Sequence, residues 1–182
     1  MALLPTFWIR WRVRVGYPIA LAYLWFASPT WNSIAIGGTI AALGLVLRAL
    51  AAGHLRKWEG LATSGPYACT RNPLYFGSAL LAVGFAVAGH SWIGAALIVG
   101  YFAVFYPVVI KREEAELRVR YGRDYEDYAA RVPLFWPRIP QHGPAPLERF
   151  SWPLYRRNHE YQAALGFLFG LAVLVVRIYW RR

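Results

Sequence analysis

Long apolar stretches, separated by short segments into which most of the charge is crowded, constrain this chain more than any other feature. They fall at about Val13 to Ser28, Ser33 to Ala52, Leu74 to Ala88, Trp92 to Ile110 and Tyr161 to Tyr179. A helix rises about 1.5 Å per residue and a bilayer's hydrocarbon core is about 30 Å thick, so runs near 20 residues can cross it. In lipid only a helix or a closed barrel satisfies every backbone group, and these unbroken apolar runs suit helices. The chain is therefore expected to be an all-α integral membrane protein with about five transmembrane helices. Composition agrees: 58% of the 182 residues are hydrophobic and only 16% charged, against about a quarter in soluble domains.

The charges also carry a direction. Arg10, Arg12 and Arg14 precede the first run, while the link Pro29 to Asn32 has no Lys or Arg. Arg56, Lys57 and Arg71 follow the second run, Gly89-His90-Ser91 between the third and fourth is again without Lys or Arg, and Lys111 to Arg157 is rich in both. Cationic loops stay on the cytoplasmic side, so the N-terminus and all charged loops are expected there, with helices three and four as a hairpin turning at the opposite face. Trp31, Trp92, Tyr179 and Trp180 stand at run ends, where amphipathic rings favour the interface. A fifth crossing would send Arg177, Arg181 and Arg182 to the uncharged face, which leaves a full crossing and a tilted, partly interfacial last helix both open.

Several classes are set aside. The formal charge of +11 is spread over arginines that flank apolar runs, and no helix-turn-helix, zinc or RNA-binding signature accompanies it, so no nucleic-acid partner is expected. Cys69 is the single cysteine, which excludes an internal disulfide and a cysteine-rich metal site, and no metal is expected. The first run resembles a secretory signal, but Phe26-Ala27-Ser28-Pro29 offers no cleavage site and it is read as a retained helix. One membrane domain over residues 1–182 fits the length, with no room for a separate soluble one. Gly166 and Gly170 form a Gly-xxx-Gly pair suited to close packing within the monomer or, as the alternative, to a dimer.

Two polar clusters are expected at the charged face. In the first, residues 61–77, Gly65-Pro66 and Asn72-Pro73 are turn formers, Pro73 suits the first turn of the third helix, and Asn72 is placed to cap it. Arg71 beside that cap, flanked by Tyr67 and Tyr75, sits where helix-start amides can receive a carboxylate. The second cluster, Lys111-Arg112-Glu113-Glu114-Ala115-Glu116-Leu117, lies where the fourth helix leaves the membrane. Arg112 to Val132, interrupted by Gly122, is expected as a helix on the membrane surface, and Pro133 to Pro153 as an irregular cover.

Thr63 to Gly77 with its Arg71-Asn-Pro-Leu-Tyr75, then Glu113-Glu114 after a hairpin, then Tyr121-Gly122-Arg-Asp-Tyr125 and Tyr128 to Pro133, resembles the isoprenylcysteine carboxyl methyltransferase family and the related membrane phospholipid N-methyltransferases. The likeness runs from about His54 to Pro137, with 138–182 as a C-terminal addition. It implies S-adenosylmethionine as cofactor, S-adenosylhomocysteine as product, a cofactor pocket at the cytoplasmic boundary, and a lipophilic or lipid acceptor entering from the bilayer. Carried over by position, His54, Glu59, Leu61, Ala62, Gly65, Tyr67, Asn72, Pro73, Tyr75 and Glu113 are implied as cofactor-binding, and Arg71, Glu113 and Glu114 as catalytic. Glu113 can pair with the cofactor's ammonium or hydrogen-bond its ribose, tyrosine faces can stabilise the sulfonium, and helix-start amides can take the carboxylate.

Two departures bear on the acceptor. The family commonly has His where Asn72 stands, which removes a titratable ring. The prenylcysteine enzymes place an Arg one turn before the cofactor-contacting Glu, where this chain has Val109, leaving Arg71 or Arg112 to meet an acceptor carboxylate. These departures support a second reading, a non-catalytic membrane protein with a degenerate pocket; a third is a sterol-reductase-like enzyme using NADPH. His159 and Glu160, before the last run, either face the pocket or form an interfacial collar.

Overall fold

The computed structural model describes residues 4–56, 60–139 and 150–180. Among them it is all-helical: α1 (Leu4–Phe26), α2 (Trp31–His54), a 3-10 turn (Gly65–Ala68), α3 (Pro73–Ala88), α4 (Trp92–Tyr121), α5 (Arg123–Arg131), α6 (Trp152–Arg157) and α7 (Tyr161–Trp180). Three of these, α2, α4 and α7, are long and apolar enough to cross a membrane. α3 is apolar throughout but has 16 residues and rises only about 24 Å. α1 begins before the apolar run and carries Arg10, Arg12 and Arg14 as well as Pro18.

Small residues decide the packing. α2 and α3 lie antiparallel with their backbones in contact along Gly37, Ala41 and Gly44 on one side and Gly77 and Gly84 on the other. A Cβ at Gly37 would stand 2.4 Å from the Gly84 carbonyl oxygen, and one at Gly84 would stand 2.4 Å from the Ala41 nitrogen. Between helices bathed in lipid no hydrophobic gain drives association, and close backbone approach of this kind supplies the dispersion contact instead. The glycine pair singled out in the sequence is used differently. A Cβ at Gly166 would meet nothing within 4 Å, while one at Gly170 would stand 2.8 Å from the Phe85 ring.

At one end of the bundle the α1–α2 and α3–α4 turns are tied together. The Ser28 amide donates to the Gly89 carbonyl (2.7 Å), the Ser33 hydroxyl to that of Ala88 (2.9 Å), and the Tyr23 hydroxyl to that of Phe85 (2.5 Å). Thr30 and Ser33 form a reciprocal cap on α2, and Ser91 caps α4. Tyr23, Ala27, Ala88 and Leu174 form a buried cluster at this end. α7 reaches it too: the Arg177 guanidinium donates through Nε to the Ala27 carbonyl at 2.7 Å and through Nη2 to that of Trp25. The arginine that opposed the charge rule is thus engaged with backbone carbonyls at the end of α1, and α7 runs the whole length of the bundle.

The opposite end is built differently from the expectation in three respects. The charged stretch after Ile110 is not a separate helix, because α4 continues without a break through Lys111 and Glu113 to Tyr121, 30 residues in all. Gly122, at φ +49°, makes the break, and α5 folds back with Tyr125 and Tyr128 buried. The segment after Val132 is irregular through Ile139 and covers the α3 start, but Trp152–Arg157 is helical. Asn72 stands at the cap position of α3 without capping it, because its amide is drawn to the Leu134 carbonyl (3.0 Å).

Candidate functional site

The first motif is a tight turn, buried at Ser64, Tyr67, Thr70 and Asn72, before it is anything else. Gly65 adopts φ +56° against the His54 ring, 2.7 Å from where its Cβ would stand, so a side chain there is excluded on two counts. His54 is itself buried, its Nδ1 2.8 Å from the Leu50 carbonyl and its ring against Phe150. Thr70 and Asn72 are buried and bind the segment after α5: the Thr70 hydroxyl donates to the Phe135 carbonyl at 3.0 Å, and the Arg71 amide to that of Pro133 at 2.9 Å. Pro73, fully buried, starts α3. Leu61 and Ala62, half-buried, lie on the strand of chain entering the turn, and Glu59 falls outside the described residues.

α3 and α4 then present the charged groups to one another. The Tyr75 hydroxyl donates to Glu113 Oε1 at 2.5 Å, and Arg71 Nη1 donates to Glu114 Oε1 at 2.6 Å. The Tyr125 hydroxyl, from α5, donates to the same Glu114 oxygen at 2.8 Å, and the Arg118 guanidinium lies 5.9 Å from the Tyr125 ring centre. Adjacent residues on one helix point about 100° apart, which is how consecutive glutamates serve two different partners. The two motifs, far apart in sequence, therefore meet through two side-chain contacts. Tyr75 also packs edge-on against Tyr106, which stacks on Phe102, so an aromatic wall rises from Glu113 along α4.

The tyrosines around this junction are held as neutral donors. Burial, and then the hydrogen bond and charge of Glu114, push Tyr125 up to about 12. Tyr128, whose hydroxyl donates to the Tyr67 carbonyl at 2.7 Å, is raised mainly by burial. Tyr67 is raised further, by burial first and then by Tyr128 and the negative charges of Glu113 and Glu160, with Arg48 opposing. Those last groups place the Tyr67 hydroxyl in the field of two carboxylates and one guanidinium.

Arg48 is the principal residue the sequence reading missed. It projects from an otherwise apolar helix, donating through Nε and Nη2 to both oxygens of Glu160 (2.5 and 3.0 Å) and through Nη1 to Ser78 and the Leu74 carbonyl. Glu160 is 6% exposed. Its neighbour Asn158 donates to the Ala52 and Leu55 carbonyls at the end of α2, each at 2.9 Å, and His159 turns the chain with φ +55°. Glu160 therefore faces inward while His159 stays on the outer side against Tyr161. A lone arginine in a membrane run was the available signal, since ionisable groups there rarely stand without a partner. Val109 is buried, and Arg112 turns along α4 to Glu116 at 2.7 Å. Among the described residues no group of three or more His, Cys, Asp or Glu side chains is placed to share a metal ion.

Comparison with known proteins adds a family. The family model for phospholipid methyltransferase matches residues 15–124. The chain is 33% identical to the cobalt-zinc-cadmium resistance protein CzcN of Cupriavidus metallidurans over 138 residues, 71% of this chain and 62% of that protein. It is 37% identical to the nickel-cobalt-cadmium resistance protein NccN of Alcaligenes xylosoxydans xylosoxydans over 116 residues, 60% of this chain and 54% of that protein. The match thus spans rather more than half the length of these curated relatives. No solved structure matches. The chain belongs to the phospholipid methyltransferase family, and the matched residues contain both glutamates and the whole first motif.

Proposed function

We propose that this member of the phospholipid methyltransferase family transfers a methyl group from S-adenosylmethionine to a lipophilic acceptor, a thiol, amine or carboxylate, at the membrane boundary. The observation that carries the reading is the junction of the two motifs: Tyr75 on Glu113 and Arg71 on Glu114 bring together residues that the resemblance implies as cofactor-binding and catalytic. The residues suit such a ligand on their own chemistry. Glu113 is an exposed carboxylate with a tyrosine rather than a cation as its partner, and the rings of Tyr75, Tyr106 and Phe102 supply electron-rich faces beside it.

Bound S-adenosylmethionine supplies a methyl group on a sulfonium, ready for in-line displacement. The protein's own part is positional. Arg71, held by Glu114, and the turn at Gly65 fix the first motif, and the cover from Pro133 onward shields its backbone from water. Orientation of this kind can supply much of the acceleration in a displacement reaction. We further infer five crossings, with α3 as a short one, and the site end at the cytoplasmic face. The relatives' names concern resistance to cobalt, zinc, cadmium and nickel, so the acceptor is best sought in membranes of cells challenged with those metals.

The test is ligand linkage. Detergent-purified protein is expected to gain thermal stability with S-adenosylhomocysteine, by about 2.7 kcal/mol at a hundredfold excess over Kd, and none with NADPH. Labelled methyl donor with membrane lipid extract then identifies the acceptor. A second reading, a non-catalytic family member, draws on two observations: Asn72 is tied to Leu134 and Val109 is buried where the prenylcysteine enzymes have arginine. Binding without transfer to any extract would favour it, and absence of binding would remove the methyltransferase reading.

A further inference from the structure

The proposed reaction leaves a cavity unused, and it lies at the other end of the bundle. Between the last turns of α1 and α7 is an open cleft of about 330 Å³, walled by Leu21, Val173 and Val176 and lined also by Trp25, Trp180 and Arg177. That volume is at the lower end of those that hold small ligands. The helices touch beside it, where Leu174 packs with Tyr23 and Ala27 and the Arg177 guanidinium donates to the Ala27 and Trp25 carbonyls. The rise from Val173 to Trp180 makes the cleft about 10 Å long, against about 15 Å for one hydrocarbon leaflet.

The apolar walls and the charge call for one kind of occupant. Leu21, Trp25, Val176 and Trp180 are exposed, and the two tryptophans suit the depth of the lipid headgroups. Arg177 sets a guanidinium three residues inside Trp180, about 4.5 Å along the helix axis. The carbonyls hold that group in place and leave its positive charge. Arg181 and Arg182 follow in sequence, while no Asp or Glu occurs in residues 1–58, 60–112 or 161–182, which include every helix end gathered here. No acidic side chain at this end therefore offers itself to the arginines. The ammonium of a zwitterionic headgroup would meet cations with no acidic side chain to receive it, whereas a headgroup of net negative charge meets attraction alone. A second copy docked face to face would bring the same arginines together.

We propose that the α1–α7 cleft binds an anionic phospholipid, with one acyl chain against Leu21, Val173 and Val176 and the headgroup phosphate on the Arg177 side. The site lies about the length of α7, roughly 30 Å, from the motif end, so its lipid is a bound partner and not the methyl acceptor. It stands whether or not the chain transfers methyl groups.

The experiment is native mass spectrometry of the delipidated full chain in detergent, titrated separately with phosphatidylglycerol and phosphatidylcholine of identical acyl chains. The wild type is expected to take up one phosphatidylglycerol at least about tenfold more tightly than phosphatidylcholine, the order that one or two arginines give near an anionic headgroup. Val176→Trp, which fills the cleft, should weaken phosphatidylglycerol at least about fivefold, and Leu21→Trp fills it from α1 where that variant does not fold. Val99→Trp, at an exposed α4 position outside the cleft, should bind as wild type does. Arg177→Gln is expected to bring the two lipids within about threefold of one another. Equal wild-type affinity for the two lipids overturns the proposal. So does a preference untouched by filling the cleft, or one lost equally in Val99→Trp, since either would mean lipid held around the whole bundle. A dimer that Val176→Trp dissolves would make a second copy the occupant instead.

Discussion

Arg48 and Glu160 stand 112 residues apart and form a bidentate pair in which the carboxylate is almost fully enclosed. Breaking a buried pair leaves an uncompensated charge, so Glu160→Gln or Arg48→Met is expected to destabilise by about 3–5 kcal/mol, whereas the double change to apolar residues costs much less. Thermal unfolding of the three variants in detergent measures this, and additive losses would show that the two residues act separately. Tyr125 offers a second test at this scale. Its ionisation is raised from the ordinary value of 10.0 to about 12, so the folded state holds its proton more tightly than the unfolded chain. The resulting stability is complete below pH 10 and is lost as pH rises from 10 to 12. Tyr125→Phe should flatten that part of the stability curve, and an unchanged slope would deny the assignment. The sequence made Arg71, Glu113 and Glu114 legible because each sits in a short polar motif. Arg48, a lone arginine in an apolar run, signalled that it needs a partner, but Glu160 lies 112 residues away and could not be read from it.

The α2–α3 pair owes its closeness to glycines on both faces. A methyl group at Gly84 would stand 2.4 Å from the Ala41 backbone nitrogen and 2.5 Å from the Gly37 carbonyl oxygen, where no flexible side chain can yield. Gly84→Ala is therefore expected to separate the helices and cost at least about 1–3 kcal/mol. Gly166→Ala, with nothing within 4 Å, should be neutral or gain about 0.5–1 kcal/mol from helix propensity. Paired unfolding measurements decide it, and a neutral Gly84→Ala would mean the seam is looser than drawn. The apolar runs and their turns were readable because length and charge announce them. Which glycines face another helix was not, since a spacing of three or four fits a lipid face as well as a partner. The length of α4 escaped for a related reason: its run of charge reads as a boundary, yet Glu, Arg and Lys are good helix formers and nothing before Gly122 stops the chain.

The molecule has two chemically distinct ends. One gathers the turns at Ala27 and Gly89, sealed by hydroxyl-to-carbonyl bonds and by Arg177; the other gathers the first motif, the glutamates of α4, α5 and the entry to α7. The sidedness proposed above rests on the cations. Arg56, Arg71, Lys111, Arg112, Arg118, Arg120, Arg123 and Arg131 all fall at the motif end, which the positive-inside rule assigns to the cytoplasm. Arg177 does not weaken that assignment, because a guanidinium spent on the Ala27 and Trp25 carbonyls is bound to the end of α1. The single cysteine makes this measurable. Cys69 lies in the motif turn, whereas His90 is exposed at the opposite tip, so the native chain and a Cys69→Ser, His90→Cys variant report on opposite faces. In right-side-out vesicles a membrane-impermeant maleimide is expected to label the His90→Cys variant, and to reach Cys69 only after the vesicles are opened. Labelling of Cys69 in sealed vesicles would invert the molecule and place the proposed methyl-donor site at the outer face, away from the cytoplasm where S-adenosylmethionine is made. The topology measurement therefore tests the proposed chemistry as directly as it tests the fold.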